Sequence, residues 1–357
     1  MYPMDVMNEF LNGLGTLNAE EKNHIMTMYA RATIAPAPHY VQIFAKAAIE
    51  GVFGNHLDIL NAFMSSVKDL NQLPFTKEHA EKGIHVLRSL FAREVLNARY
   101  RAQKPPADEK MRWAISRVRD YGYVDLGEFI NKRHVDEVRA AIEKHGFSEN
   151  KKPENLVANR NFVDAYVLQW LLWNSELHQY LMYCMGHDPY QPSGLMDQYE
   201  KNTFVQRIRN MPMDGDVQKV MHHDTYFDAY KFWYFPDATT TGLNSRLGDE
   251  GNFVYSPSSH LLSLQRLNWM QGAYMRHYNN TIEPTRTYGH SEGSLRILPH
   301  ELKEIGHYEQ PIKTFGNTLV IANVFGFHRR GDVQTETVRS AVHGSIRSLD
   351  PFSLNHS

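Results

Sequence analysis

The amino-acid sequence predicts a helical N-terminal region followed by a mainly β domain, a sandwich or barrel with flanking helices. Short β-rich runs separated by Gly-, Asn- and Pro-containing turns fill the second half of the chain, a pattern typical of a sandwich and not of alternating βα units. Helical patterns fill the first hundred residues until two prolines in residues 103–109 interrupt them. We therefore expect a helical region over residues 1–105 and a second domain over residues 110–357.

The individual elements follow from capping signals and from the spacing of apolar residues. Asn18 with Glu21 forms a capping box that predicts a helix start. Apolar residues at 84, 87, 91, 95 and 98 predict one face of a helix that ends near Tyr100. Residues 120–130 then predict a strand and turn, and two helices follow at 135–147 and about 162–183. The β-rich runs lie at 202–208, 219–224, 230–235, 252–256, 317–325 and 339–347.

Composition and charge exclude several classes of protein. The formal net charge of −2 gives no overall attraction to nucleic acid or to anionic membranes. The single cysteine, Cys184, excludes an internal disulfide framework and a cysteine-rich metal site, and it suits a reducing compartment. The N-terminal residues lack a basic leader, and no stretch approaches the roughly 18 apolar residues that span a bilayer. We expect a cytoplasmic protein that acts on a small molecule, with no nucleic-acid or membrane partner and with no signal for its oligomeric state.

The pattern His-x-Asp, in which the two residues are two positions apart, occurs three times, at 56–58, 134–136 and 222–224. Two histidines and one carboxylate on one face are the ligands of an iron centre that leaves positions open for a co-substrate and O2. Residues i and i+2 share a face on a strand but diverge by about 200° on a helix. The first two occurrences lie in helical patterns, whereas the third ends a β-rich run. We therefore predict His222 and Asp224 as ligands, with His223 facing away.

A third ligand and a carboxylate anchor are predicted near the C-terminus. His328 follows Phe327 at the end of a buried strand, and Arg339 begins another strand eleven residues later. Two antiparallel strands at this spacing bring both side chains into one cavity. The planar guanidinium of arginine binds a carboxylate through two parallel hydrogen bonds. Considered alone, His222 and Asp224 also fit an ordinary pair at a strand end, so the pairing of His328 with Arg339 is what favours a metal site.

Together these segments resemble the phytanoyl-CoA dioxygenase family of iron(II)/2-oxoglutarate enzymes. The similar segments are the strand and helix at 120–147, the helix end at 180–186, the segment His-His-Asp-Thr-Tyr-Phe and its continuation at 222–235, the segment at 250–260, and His328 with Arg339. In the fourth of these, Ser258 stands where the Pro-Gly-Ser-His motif of the family has glycine. The resemblance covers roughly residues 115–350 and leaves the first hundred residues outside it.

The resemblance implies a double-stranded β-helix, a jelly roll of two sheets, with iron(II) bound by His222, Asp224 and His328. It also implies that Arg339 binds the distal carboxylate of 2-oxoglutarate and that Trp233 flanks this co-substrate, although Trp233 also fits ordinary sheet core. Halogenating relatives lack the carboxylate that Asp224 supplies. The implied reaction is therefore hydroxylation or another C–H oxidation, such as desaturation, of a small-molecule substrate, with O2 consumed and succinate and CO2 released.

Two other classes of function compete with this interpretation. A non-redox metal-binding jelly roll, such as a cupin-like isomerase or binding module, uses the same ligand types but has no need of Arg339. An interaction protein with a decayed oxygenase domain would not be expected to keep a complete ligand set.

The sequence does not decide the role of several further residues. His343 shares a strand face with Arg339 and fits either the cavity or the core, and we favour the core. Residues 242–251 and 268–290 are predicted to be extra loops. The arginines at 266, 276 and 286 in loop-like sequence are solvated or anchor an anionic substrate.

Overall fold

The computed structural model describes residues 101–144, 156–159, 176–187, 203–210, 217–238, 251–278 and 294–346, together with isolated residues, several of them between 89 and 100. The predicted capping box at Asn18 and the His-x-Asp pattern at 56–58 lie outside the described residues, as does most of the predicted N-terminal region. None of the helices among the described residues has the length and apolar character needed to cross a membrane.

Five α-helices and eleven β-strands have both ends among the described residues, and residues 99–102 are also helical. The helices are α1 (Glu109–Tyr121), α2 (Lys132–Lys144), α3 (Leu177–Cys184), α4 (Leu264–Tyr278) and α5 (Pro299–Glu304). The strands are β1 (Tyr123–Glu128), β2 (Leu156–Asn159), β3 (Thr203–Asn210), β4 (His222–His223), β5 (Tyr230–Phe235), β6 (Phe253–Tyr255), β7 (Leu295–Arg296), β8 (Gln310–Ile312), β9 (Thr318–Asn323), β10 (His328–Arg330) and β11 (Thr337–Ile346). A short 3-10 turn at Val217–Lys219 precedes β4.

The strands build two antiparallel sheets. A six-stranded major sheet has the order β1-β9-β5-β11-β3-β2, and a five-stranded minor sheet has the order β7-β4-β10-β6-β8. The inner faces of the two sheets contact each other, since the rings of Trp233 on β5 and Phe253 on β6 lie 4.5 Å apart between centroids. The result is a mainly β, jelly-roll-like sandwich with flanking helices, in agreement with the fold class that the sequence predicts.

All of the predicted strands are present. Each of the six β-rich runs contains a strand, namely β3, β4, β5, β6, β9 and β11, and the predicted strand and helix after the prolines correspond to β1 and α2. The strands β2, β7, β8 and β10 were not predicted. They contain only two to four residues, too few for an alternating pattern to identify them.

Three helices cover the outer face of the major sheet. Helix α1 begins at Asp108, whose side chain accepts a hydrogen bond from the Met111 amide at 2.7 Å, directly after the predicted linker. It ends at Gly122, where φ is 86° and an added Cβ would lie 2.2 Å from the hydroxyl of Tyr255. The buried faces of α1, α2 and α3 pack with the outward side chains of β5, which are Tyr230, Phe232 and Tyr234. By alternation Lys231 and Trp233 point toward the minor sheet.

One segment that the sequence predicts as a loop is a helix. Helix α4 covers Leu264–Tyr278, so the prediction of an extra loop at 268–290 is wrong for its described first part. The prediction that Arg266 lies in a loop is also wrong, because this residue is on α4 with no solvent exposure. Buried residues at 267, 270, 273 and 274 supply a helical repeat that Gly272 and the intervening polar residues obscure. Arg276, on the same helix, pairs with Glu301 at 3.0 Å, and Arg286 lies outside the described residues.

Candidate metal centre

Two strands of the minor sheet bring three polar side chains together. Strand β10 pairs with β4 so that His328 lies directly opposite His222, and their imidazole rings are 4.6 Å apart between centroids. Asp224 follows β4 immediately, with its amide bonded to the carbonyl of Val324 at 2.9 Å. One potential ligand atom from each of His222, Asp224 and His328 lies within 4.8 Å of the others, and all three residues are buried. This group of atoms is able to hold a metal ion.

The hydrogen bonds of the two histidines select the tautomer that a metal requires. Nδ1 of His222 bonds to the carbonyl of Val220 at 2.8 Å, and Nδ1 of His328 bonds to the carbonyl of Gly326 at 3.0 Å. Because a carbonyl can only accept, each Nδ1 carries the proton and each Nε2 presents a lone pair. Burial, followed by the nearby His328, lowers the pKa of His222 to about 3, so this imidazole is neutral at physiological pH. The donor set therefore fits a divalent metal ion.

His223 lies on the opposite face of β4, as the alternation of the strand predicts. Its ring contacts an aromatic cluster of Trp269, Phe325 and Phe327, with centroid distances of 5.6 to 6.3 Å. Its Nδ1 donates to the carbonyl of Thr225 at 2.8 Å. Burial lowers the pKa of His223 well below its usual range, so this imidazole is neutral and packs as an aromatic ring.

The second His-x-Asp pattern lies on helix α2, where the sequence places it. His134 contacts Glu137 on the same helix at 3.0 Å, and Asp136 pairs with Arg139 at 2.9 Å. Each side chain therefore makes a contact within its own helix, the His134 side chain being buried and that of Asp136 exposed. They do not converge on a common point, in keeping with the divergence of residues i and i+2 on a helix.

Lys231 is a fourth polar side chain at the centre, and the sequence analysis missed it. Its ammonium donates to Oδ2 of Asp224, the oxygen that lies 3.5 Å from Nε2 of His328. Oδ1 of Asp224 lies 3.8 Å from Nε2 of His222. The signal that identifies Lys231 is its position two residues before Trp233, which places both side chains on the inner face of β5. An ammonium here holds one carboxylate oxygen and competes with a metal ion for it.

The three candidate ligands open into a cavity of about 230 Å³ between the sheets, which Lys231, Trp233, Arg330, Arg339 and His343 also line. Nη1 of Arg339 donates to the carbonyl of Gly251 at 2.6 Å. Burial, followed by the nearby charge of Arg330, lowers the pKa of Arg339 to about 9, and the guanidinium is still charged at neutral pH.

The predicted meeting of His328 and Arg339 in one cavity occurs, but by a different route from the predicted pairing. Arg339 is on β11 of the major sheet and His328 is on β10 of the minor sheet, so the two face each other across the sandwich. The connection between β10 and β11 crosses from one sheet to the other. Eleven residues are enough for this crossing as well as for a hairpin, and for this reason the spacing alone did not distinguish the two arrangements.

The other polar and aromatic side chains of the cavity lie along the inner face of the major sheet. His343 on β11 lies opposite Trp233 on β5, and their rings are 5.1 Å apart between centroids. Trp233 is also 6.4 Å from the ring of His328. Lys231 lies beyond this pair at one end, opposite Ser345, and Arg339 lies at the other end of β11. A positive charge therefore stands at each end of the cavity floor, with the Trp233–His343 pair between them. His343 lines the cavity, the less favoured of its two sequence interpretations.

No protein-family model matches the chain, and no curated protein sequence matches it. Solved structures that are similar to part of it include the non-haem α-ketoglutarate-dependent epimerase SnoN from nogalamycin biosynthesis, in complex with Fe3+, α-ketoglutarate and nogalamycin RO. SnoN is 14% identical, with 66% of this chain and 82% of that chain covered and a TM-score of 0.42. HygX from Streptomyces hygroscopicus, with nickel and 2-oxoglutarate bound, is 12% identical, with 66% and 85% covered and a TM-score of 0.40.

Proposed function

We propose that the protein is an iron(II)- and 2-oxoglutarate-dependent oxygenase that hydroxylates a small-molecule substrate and releases succinate and CO2. One observation carries the proposal: His222, Asp224 and His328 line the same cavity as Arg339. A metal-dependent isomerase or binding module needs the three ligands but has no use for that guanidinium. The proposal extends to the double-stranded β-helix topology and to the phytanoyl-CoA dioxygenase family that the sequence motifs resemble, with the catalytic domain over residues 110–357.

The proposed metal site uses His222, Asp224 and His328 on one side of iron(II). This ligand set leaves positions open for a bidentate co-substrate and O2. The Nδ1 hydrogen bonds to backbone carbonyls keep each imidazole oriented and in the correct tautomer. When bound, iron(II) with 2-oxoglutarate supplies the oxidising chemistry, and the protein supplies ligation, orientation and exclusion of water.

The proposed site for 2-oxoglutarate lies along the floor of the cavity. Arg339 binds the distal carboxylate of the co-substrate, because a guanidinium pairs with a carboxylate through two charge-assisted hydrogen bonds. Trp233 and His343 flank the carbon chain. Lys231, beside Asp224, lies at the end where the keto acid group would meet the metal. A dicarboxylate thus has a cation at each of its two charged ends.

The cavity is large enough for the co-substrate but too small to hold the substrate to be oxidised as well. Its volume of about 230 Å³ is below the range of roughly 300–1,000 Å³ that is usual for pockets holding drug-sized ligands. A metal ion with a five-carbon dicarboxylate fits this space. The substrate therefore binds next to this space, where the half-buried residues Gln218 and Arg329 line the cavity together with the metal ligands.

The release of succinate tests the proposed activity. Purified protein is incubated with iron(II), isotopically labelled 2-oxoglutarate, O2 and a panel of candidate substrates, and labelled succinate is measured. We expect a slow release without substrate, a faster release with an accepted substrate, and none in the His328→Ala variant. Iron-loaded, folded protein that binds 2-oxoglutarate but never produces succinate would support the non-redox alternative instead.

Replacing Lys231 with methionine is expected to change metal affinity and 2-oxoglutarate affinity in opposite directions. Two unit charges 4 Å apart interact by about 4 kcal/mol at an effective dielectric constant near 20, so the ammonium opposes a nearby dication strongly. Its removal should tighten Co(II) binding by about 10-fold or more, because a gain of 1.4 kcal/mol already corresponds to a factor of ten. Removal of the same charge should weaken the binding of the 2-oxoglutarate dianion. Metal affinity is measured by titration with Co(II) followed by absorbance, and 2-oxoglutarate affinity is measured by calorimetry.

The matched control for this variant is Lys132→Met. Lys132 lies on α2, with its side chain 82% exposed, and it forms a long surface pair with Glu128 at 3.7 Å. Its replacement should leave both affinities unchanged, because exposed pairs contribute little. If Lys231→Met weakened Co(II) binding, the ammonium would be acting as a support for Asp224 and not as a competitor of the metal ion.

A further inference from the structure

The loops that carry two of the candidate ligands contact each other directly behind the metal centre. Asp224 begins the loop between β4 and β5, and Val324 lies in the turn between β9 and β10 that leads to His328. The amide of Asp224 donates to the carbonyl of Val324 at 2.9 Å, and the amide of Val324 donates to the carbonyl of Ala229 at 2.7 Å. The distance between Asp224 and His328 therefore depends on how firmly these two loops are held together.

A buried carboxylate joins the same two loops through side chains. Asp228, in the β4–β5 loop, has a side chain only 3% exposed. Its Oδ1 accepts a hydrogen bond from Nδ2 of Asn323 at the end of β9. Oδ1 of Asn323 in turn accepts from the amide of Phe325 at 3.0 Å. These hydrogen bonds connect Asp228 to Phe325, which lies three residues before His328.

The counter-charge of Asp228 comes from far away in the sequence. Nη2 of Arg93 lies 2.7 Å from Oδ1 of Asp228 and also donates to the carbonyl of His260 at 2.6 Å. Burial raises the pKa of Asp228, and the nearby charge of Arg93 and the hydrogen bond from Asn323 oppose this rise. A buried carboxylate that loses its cation is left as an uncompensated charge, which strongly destabilises the loop that carries it.

The segment that carries Arg93 is packed into the catalytic domain. Ala92 and Leu96 are 2% and 6% exposed, and the hydroxyl of Tyr100 lies 2.8 Å from that of Tyr230 on β5. The linker predicted at 103–109 therefore does not separate this segment from the sandwich. The end of the segment that carries Arg93 packs against the major sheet through Tyr100.

We infer that Arg93 is a positioning residue for the proposed metal centre: through Asp228 and Asn323 it fixes the loop of Asp224 against the turn that leads to His328. The inference rests on the proposed metal-binding function and deepens it. It also gives the end of the N-terminal region a function, since this segment supplies the cation behind the ligands. Outer groups that orient ligand-bearing elements typically contribute about 10- to 100-fold to metal affinity.

The test compares Arg93→Met with a matched control, Gln103→Ala, in the full-length chain. Nε2 of Gln103 donates to the carbonyl of His187 at 2.7 Å, so this contact ties the same segment to the domain but does not reach the metal loops. Amide hydrogen exchange of Asp224 and Val324 is measured in the metal-free protein. We expect at least about 10-fold faster exchange in Arg93→Met and little change in Gln103→Ala, because local opening follows the loss of local contacts.

Metal affinity is the second measurement. Co(II) titration should show binding about 10- to 100-fold weaker in Arg93→Met and nearly unchanged in Gln103→Ala. Equal exchange rates at Asp224 and Val324 in the two variants would overturn the inference. If wild-type protein bound no metal while the exchange difference persisted, the proposed function would fail and the coupling of the loops by Arg93 would stand.

A second variant keeps the test decisive if Arg93→Met does not fold. Arg93→Lys retains the positive charge but lacks the planar group that reaches Asp228 and the carbonyl of His260 together. We expect exchange rates and Co(II) affinity between those of wild type and those of a fully uncoupled loop pair. Values identical to wild type for both quantities would contradict a positioning role for the guanidinium.

Discussion

Replacing His222 with alanine is expected to abolish tight metal binding, whereas replacing the adjacent His223 with phenylalanine is expected to preserve it. His222 presents an Nε2 lone pair next to Asp224, and no other described imidazole on β4 faces the cavity. Loss of a ligand should cost more than the roughly 10- to 100-fold that follows loss of an outer hydrogen-bond partner. His223 packs among aromatic rings, where phenylalanine is a close substitute in shape.

The two variants control each other because they change neighbouring residues of the same strand. Co(II) titration measures the affinity, and thermal unfolding of the metal-free proteins shows whether both remain folded. His223→Phe loses the hydrogen bond to Thr225, which contributes about 1 kcal/mol to the free energy of unfolding, so a small decrease in stability is expected. Similar losses of Co(II) affinity in both variants would mean that the choice between the two histidines is wrong.

Replacing Arg339 with methionine is expected to weaken 2-oxoglutarate binding by about 30-fold or more while metal affinity changes little. Loss of one partner from a buried, hydrogen-bonded charge pair costs about 2–5 kcal/mol, and each 1.4 kcal/mol is a factor of ten. Arg339 belongs to the major sheet, donates to the carbonyl of Gly251 and lies over the ring of Phe235, and neither of these partners is a candidate metal ligand. Calorimetry with 2-oxoglutarate on Co(II)-loaded protein measures the effect.

Arg139→Met is the control for the arginine variant. Arg139 is a partly exposed residue of α2 that pairs with Asp136 and Asp237 outside the cavity. It should bind 2-oxoglutarate and metal as the wild type does. A parallel loss of metal and of 2-oxoglutarate in Arg339→Met would contradict the separate roles that we assign to the arginine and to the three ligands.

The parts of the fold that the sequence could predict are those with a regular pattern. β-rich runs between turn residues identified strands such as β5 and β11, and the alternation of side chains along a strand separated His222 from His223, because a period of two leaves only one of two neighbours on each face. Helix geometry likewise discounted His134 and Asp136, which lie on a helix in the structure. Local pattern was sufficient in these cases because local geometry determines where the side chains point.

The parts that could not be predicted depend on contacts between distant segments. Arg93 and Asp228 are 135 residues apart, and no local pattern marks them as a pair. Arg266 looked like a loop residue, yet its guanidinium is buried over the rings of Phe325 and Phe327. Lys231 is the intermediate case: its face of β5 follows from alternation, but its contact with Asp224 requires the packing of one sheet on the other.

The most direct test of the central claim is the visible absorption of the protein after anaerobic addition of iron(II) and 2-oxoglutarate. Chelation of the co-substrate by the metal in this site gives a weak metal-to-ligand charge-transfer band. We expect this band in the wild-type protein and no band in His328→Ala. In Arg339→Met we expect the band to appear only at a higher concentration of 2-oxoglutarate. A folded, iron-loaded wild-type protein that shows no such band at saturating 2-oxoglutarate would contradict the account.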